Sequence, residues 1–265
     1  MAIQTGIFPF TGKLGNVIGY NYRGKSCMRS MPAFVKQTTA TRQAARDFGT
    51  ASRCARILRH ALENVADLTY DTTFGNRLNR AMGEVLRADR THKRGRRTMC
   101  YGDLSRLNGL RVNANTFVHD DIEIVRHFDG AVSVSVTNPC SYLAPKATAL
   151  QYRAIALVPD FNLGTCTAVV SGSVLFNPAA PQQGVELHLP VPADKQVIIL
   201  LEVTCYNANG PMRMKYFNAL DVMAVMPPMK PAPRTKKQPR VRDRGARNTA
   251  AVSLPVIVAS RFPPG

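Results

Sequence analysis

The residues with the most specific chemical spacing are Gly19-Tyr-Asn-Tyr-Arg-Gly24-Lys25-Ser26, which fit the phosphate-loop pattern G-x-x-x-x-G-K-[ST] letter for letter. In such a loop, backbone amides cradle phosphates, Lys25 neutralises them and Ser26 holds magnesium. That geometry requires a helix starting at Lys25, whose N-terminus completes the anion site. The residues that follow, Cys27 to Pro32, leave barely one turn before proline. The acid-ended apolar runs, Ala154 to Asp160 and Val197 to Glu202, lie in a stretch without alternating βα units. The match is therefore expected to be incidental, and a nucleotide hydrolase using Lys25 and Ser26 is the least favoured of three readings.

Other reactive groups form weaker patterns. His119, Asp121 and His127 share one face of an extended segment, with Asp120 beside them, but nothing completes a ligand set. No metal and no cofactor are expected. The six cysteines are never closer than 26 residues, which excludes a local C-x-x-C motif. Met1 to Phe10 does not read as a secretory leader, so reduced thiols and a cytoplasmic location are expected. Without G-x-S-x-G, H-E-x-x-H or a cysteine beside an evident base, the chain is expected not to be an enzyme.

Charge is the stronger signal. The net charge is +18, and it is uneven. Residues 1–100 carry eighteen basic and six acidic side chains, residues 101–200 six and eight, and residues 201–265 eleven and three. A near-neutral body with basic flanks is the implied design. Candidate phosphate contacts are Arg42, Arg46, Arg53 and Arg56 on a helix, Lys93, Arg94, Arg96 and Arg97 in the run 90–97, and Lys236, Lys237, Arg240, Arg242 and Arg244 in the run 230–247. Neither run has interleaved aromatics, so phosphate neutralisation rather than base stacking is indicated; the competing explanation is a solvated, solubilising surface.

The elements that would position these groups read as follows. Residues 6–32 are glycine-rich, with strand formers either side of Arg23-Gly24, and predict a β-hairpin. Residues 41–65 predict a helix whose apolar arc holds Phe48, Ala51, Ala55, Leu58, Leu62 and Val65, with Arg42, Arg46, Arg53, Arg56 and His60 opposite. Asp71 is placed to cap a second helix over 72–89, with Phe74, Leu78, Ala81, Met82, Val85 and Ala88 as its stripe and Gly95 ending the helical pattern. From about 110 the period becomes two. Strands are expected at 120–127, 132–137, 149–158, 165–175, 184–190, 196–207 and 217–226.

The expected fold is thus α+β. A hairpin segment (1–37) and a helical hairpin (38–97) precede an antiparallel immunoglobulin/fibronectin-like β-sandwich (98–226) and a proline-rich basic tail (227–265) expected to be disordered when free. Within that tail Val252, Leu254, Val256, Ile257 and Val258 form a strand-like run suited to adding a strand to a sheet edge, its own or a neighbour's. No stretch is long and apolar enough to span a bilayer.

Phe10-Thr-Gly12-Lys13-Leu-Gly15-Asn-Val-Ile-Gly19, followed by Tyr22, Gly24, Arg29, Pro32, Gln43, Arg46 and Phe48, resembles the start of a family of Bacteroidota proteins catalogued as a domain of unknown function. Its members share a GK-x-G-x-x-x-G start, an R-x-x-P step and a Q-x-x-R-x-F helix, usually with tryptophan where Tyr22 stands. Phe217-Asn218-Ala219-Leu220 is also similar. The resemblance covers about the first 50 residues. It implies a helical-then-β architecture, no established activity, and a start that does not require the Lys25-Ser26 pair. The leading expectation is a non-enzymatic structural or interaction protein, possible as a homo-oligomer assembling through sheet edges; the alternative is a nucleic-acid-associated protein holding phosphates on its basic flanks.

Overall fold

The computed structural model describes residues 2–229 except 7, 8, 35, 70, 119, 138, 140–145 and 179–183. The basic run with Lys236, Lys237, Arg240, Arg242 and Arg244, and the apolar run with Val252, Leu254, Val256, Ile257 and Val258, lie outside the described residues.

Strands β1 (Ala2–Ile3), β2 (Gly12–Leu14), β3 (Val17–Tyr22) and β4 (Lys25–Ser30) form one antiparallel sheet in the order β1-β4-β3-β2. The expected hairpin is its centre. Tyr22 pairs with Lys25 across Arg23-Gly24, and Arg23 takes a left-handed φ of 51°, as a two-residue hairpin turn requires. The outer strands are two and three residues long, too short for alternation to show in sequence. Gln4 ties them in: its carbonyl accepts from Phe10 N at 2.9 Å, and its amide donates to the carbonyls of Phe10 and Cys27 at 3.0 and 2.8 Å. Phe10 crosses directly over Gly19, where a Cβ would stand 2.3 Å from the Phe10 oxygen. Residues 25–30 are therefore strand, so no helix N-terminus follows the phosphate-loop match.

Helices α1 (Thr39–Glu63) and α2 (Phe74–Arg87) follow. Thr38 Oγ1 accepts from Thr41 N and caps α1. The buried stripe is Ala51, Cys54, Ala55, Leu58, Ala61 and Leu62 on α1, facing Phe74, Leu78, Met82, Val85 and Leu86 on α2. Two expectations are corrected here. Phe48 is 64 % exposed, because α1, at 25 residues, is far longer than α2, at 14, and its buried stripe begins only at Ala51. Asp71 is not the cap of α2, a place held by Thr73. It stands two residues earlier, accepting from Thr73 N and Oγ1 at 2.7 Å and from Ala114 N at 3.0 Å, and it pairs with Arg77.

Short 3-10 turns at Met99–Tyr101 and Leu104–Leu107 lead into β5 (Ile122–Arg126), β6 (Val132–Val136), β7 (Ala149–Asp160), β8 (Thr165–Val170), β9 (Val174–Phe176), β10 (Val185–Leu189), β11 (Val197–Asn207), β12 (Gly210–Pro211) and β13 (Asn218–Met226). The strand expected over 165–175 is broken at Ser171. There Ser171 N donates to Ala154 O, and Ser171 Oγ accepts from Ala154 N, both at 3.0 Å.

These strands form two antiparallel sheets: β10-β6-β5, and a larger one with β7 and β11 at its centre. In the larger sheet β8 and β9 flank β7, while β12 and β13 flank β11. The central strands are covered on both faces. Ile155, Leu157, Ile198 and Leu200 pack with the helices and with Met99, Leu104 and Leu107. Leu150, Tyr152, Ala154, Ile199 and Leu201 pack with Val132, Val134, Leu187 and Leu189 of the smaller sheet. This explains the unbroken apolar run Val197–Leu201, since a strand buried on both faces has no polar side. The fold is α+β: a helix layer, a central sheet and an outer sheet. Among the described residues no helix is long and apolar enough to cross a membrane.

Candidate polyanion-binding surface

The basic run 90–97 is a fixed loop held by two acids. Asp89 is 1 % exposed, and its carboxylate accepts from the amides of Thr91, His92 and Thr98 at 2.9, 3.1 and 3.0 Å. The His92 ring lies 2.9 Å from its second oxygen and meets Tyr101 edge-on. Burial pushes this carboxyl up, but the amides and the His92 ring outweigh it and hold it at about 2. Asp47 on α1 supplies the second anchor, accepting from Gly95 N at 2.9 Å and pairing with Arg97 at 3.4 Å. Gly95 has φ +83°, and a Cβ there would stand 3.0 Å from Gln43. It therefore seats the loop on α1 and does not end α2, which stops at Arg87.

Arg90, Lys93, Arg94 and Arg96 are exposed around this loop, and Arg97 is half-buried beneath it. The loop closes one side of a cleft of about 530 Å³ between α1 and α2. Its walls include Phe48 and Asp47 from α1, Asn76, Asn79, Arg80, Gly83 and Arg87 from α2, and Arg94 and Arg97 from the loop. Of the expected phosphate contacts among the described residues, only Arg94 and Arg97 line it. Arg42, Arg46 and Arg53 are exposed on α1 outside its walls, with Lys93 and Arg96 on the loop. Arg56 lines a second cleft, with His60, Glu63 and Cys166. Burial pushes the Cys166 thiol up to about 12, so it stays protonated and is a poor nucleophile.

Sequence reading missed Asn76, Asn79, Arg80, Arg87 and the cleft role of Phe48. A signal was present: 76, 80, 83 and 87 recur at intervals of three and four, the polar counterpart of the apolar stripe on α2. Phe48 also changes the reading of the loop, because the fold brings an aromatic ring from α1 to the cleft beside a basic run that has none within it.

Two of the residues weighed as metal ligands are engaged elsewhere, and Asp121 is exposed. Asp120 accepts from Tyr152 OH at 2.9 Å, and His127 Nε2 lies 2.6 Å from Ser133 Oγ, which is also 3.1 Å from His188 Nδ1. His119 lies outside the described residues. Among the described residues, no three His, Cys, Asp or Glu side chains converge. The described cysteines are all free thiols. No family model, curated protein or solved structure matches the chain.

Proposed function

We propose that the chain is a non-enzymatic interaction protein that holds the phosphate backbone of nucleic acid on loop 90–97. The observation that carries this is the anchoring of the loop by Asp89 and Asp47, which fixes the backbone that displays several cations before any ligand arrives. A preordered loop loses less backbone entropy on binding than a free basic tail does. In addition, Arg97 Nε is buried and has no acceptor among the described residues. The proposal extends to Lys236, Lys237, Arg240, Arg242 and Arg244 on composition alone. The test is a salt titration of the full chain on random-sequence duplex DNA. Replacing Arg90, Lys93, Arg94 and Arg96 by alanine should flatten the log K against log salt slope by about 0.9 for each phosphate no longer neutralised, with roughly two to four such phosphates in total. An unchanged slope rejects this surface.

A second reading, self-assembly, is favoured by the N-terminal sheet. Among the described residues its β1 and β2 edges are open, Ile3, Leu14 and Tyr22 are exposed, and Gly19 and Cys27 alone among its strand residues are buried. A unit of about 30 residues rarely supports itself without a partner or staple. Replacing Ile3 and Leu14 by serine should lower any oligomer mass seen by light scattering; unchanged mass at matched concentration rejects the reading.

The immunoglobulin/fibronectin-like assignment also belongs here as a proposal. It is supported by the strand order. With β5, β6, β7, β10, β11 and β13 as A, B, C, E, F and G, strands A, B and E share one sheet and C, F and G the other.

A further inference from the structure

Phe48 has a place that phosphate binding does not explain. It lies on α1 at helical spacing from the buried stripe, yet it is 64 % exposed and borders a cleft walled also by four arginines, Asn76, Asn79 and Asp47, with Ala44, Gly83 and Leu86 between them. We propose that this cleft takes an unpaired base of single-stranded nucleic acid, stacked on Phe48, with the Asn76 and Asn79 amides reaching the base edge. The inference rests on the phosphate reading above, which brings the strand to the cleft.

Three observations support it. An aromatic ring beside clustered cations is the combination single-strand binders use: stacking holds the base, and the cations track the backbone. A side-chain amide carries both donors and an acceptor, so Asn76 and Asn79 can meet any base edge. The cleft, at about 530 Å³, falls in the range of pockets that hold small planar ligands, about 300–1,000 Å³. At the cleft wall Gly83 leaves room within α2, since an added Cβ would meet only the end of Arg87, at 3.4 Å. A base within a duplex is already stacked on both faces and cannot enter, so the cleft selects single strands.

The chain contains no tryptophan, so Phe48→Trp creates a single fluorescent reporter at the stacking position. Its emission should be quenched by a short oligothymidylate and not by duplex DNA. Phe48→Ala should weaken binding of the oligothymidylate about ten-fold, leaving duplex affinity and the salt slope unchanged. Gly83→Leu, which fills the cleft and keeps the arginines, should do the same. Phe48 is exposed, so the first variant should melt with the wild type. If Phe48→Ala weakens single strand and duplex equally, or neither, the base-stacking inference fails and the phosphate reading stands. If the wild type binds neither with a salt-dependent affinity, both fail.

Discussion

Asp221, on β13, accepts from Val118 N through one carboxylate oxygen, while the other is buried with no partner among the described residues. Burial pushes its pKa up to about 6; the Val118 amide and the charges of Arg111 and Arg77 only partly offset this. Between about pH 4 and 6 the folded chain therefore keeps a proton that the unfolded chain has lost, and stability falls as pH rises through that window. Asp71 and Asp89, both held at about 2, act in the opposite direction: their stabilisation is present above about pH 4 and is lost as pH falls toward 2. Urea midpoints of the wild type should drop between pH 4 and 6.5, a loss of about 2 kcal/mol in free energy. Asp221→Asn keeps the acceptor and should flatten that slope. A flat wild-type profile would mean the carboxylate is not buried as described.

The loop 90–97 behaves as an element although it has no regular secondary structure. It carries four exposed trypsin sites, Arg90, Lys93, Arg94 and Arg96, in a segment clamped at both ends. Gly95→Ala places a side chain at φ +83° against Gln43, a strain of about 1–3 kcal/mol, and should lift the loop from Asp47. Cleavage within the loop, followed by mass spectrometry, should then quicken about ten-fold if cutting follows the opened population. Equal rates would show that the loop is open already. This anchoring was not legible in the sequence, because Asp47 and Gly95 are far apart in the chain and meet only once α1 is placed. The strands were legible wherever one face is apolar, as in Val132-Ser-Val-Ser-Val136, or where both are, as in Val197–Leu201. Phe48 was misread for a reason of length: helical periodicity says which face a residue occupies but not whether another element reaches that far along the helix. Likewise β1 and β2 are held mainly by Gln4 and by pairing to longer strands, and neither leaves a local pattern.

In the whole molecule, the basic N-terminal third and the near-neutral β region looked separable from charge and periodicity alone. The packing joins them, because β7 and β11 give one face to the helices and the other to the smaller sheet. Neither core can come apart without stripping one face from strands the other core needs. Unfolding should therefore be a single cooperative event, with the helices and both β-sheets of residues 122–226 melting together. The amides of Ala154 to Leu157 and Ile198 to Leu201 should be the slowest to exchange with deuterated solvent, at a free energy equal to that of global unfolding. The N-terminal sheet shares neither core and should exchange much faster. If the α1 amides exchanged far ahead of those in β7, the helix layer would be an independently opening lid rather than half of the support for the central sheet.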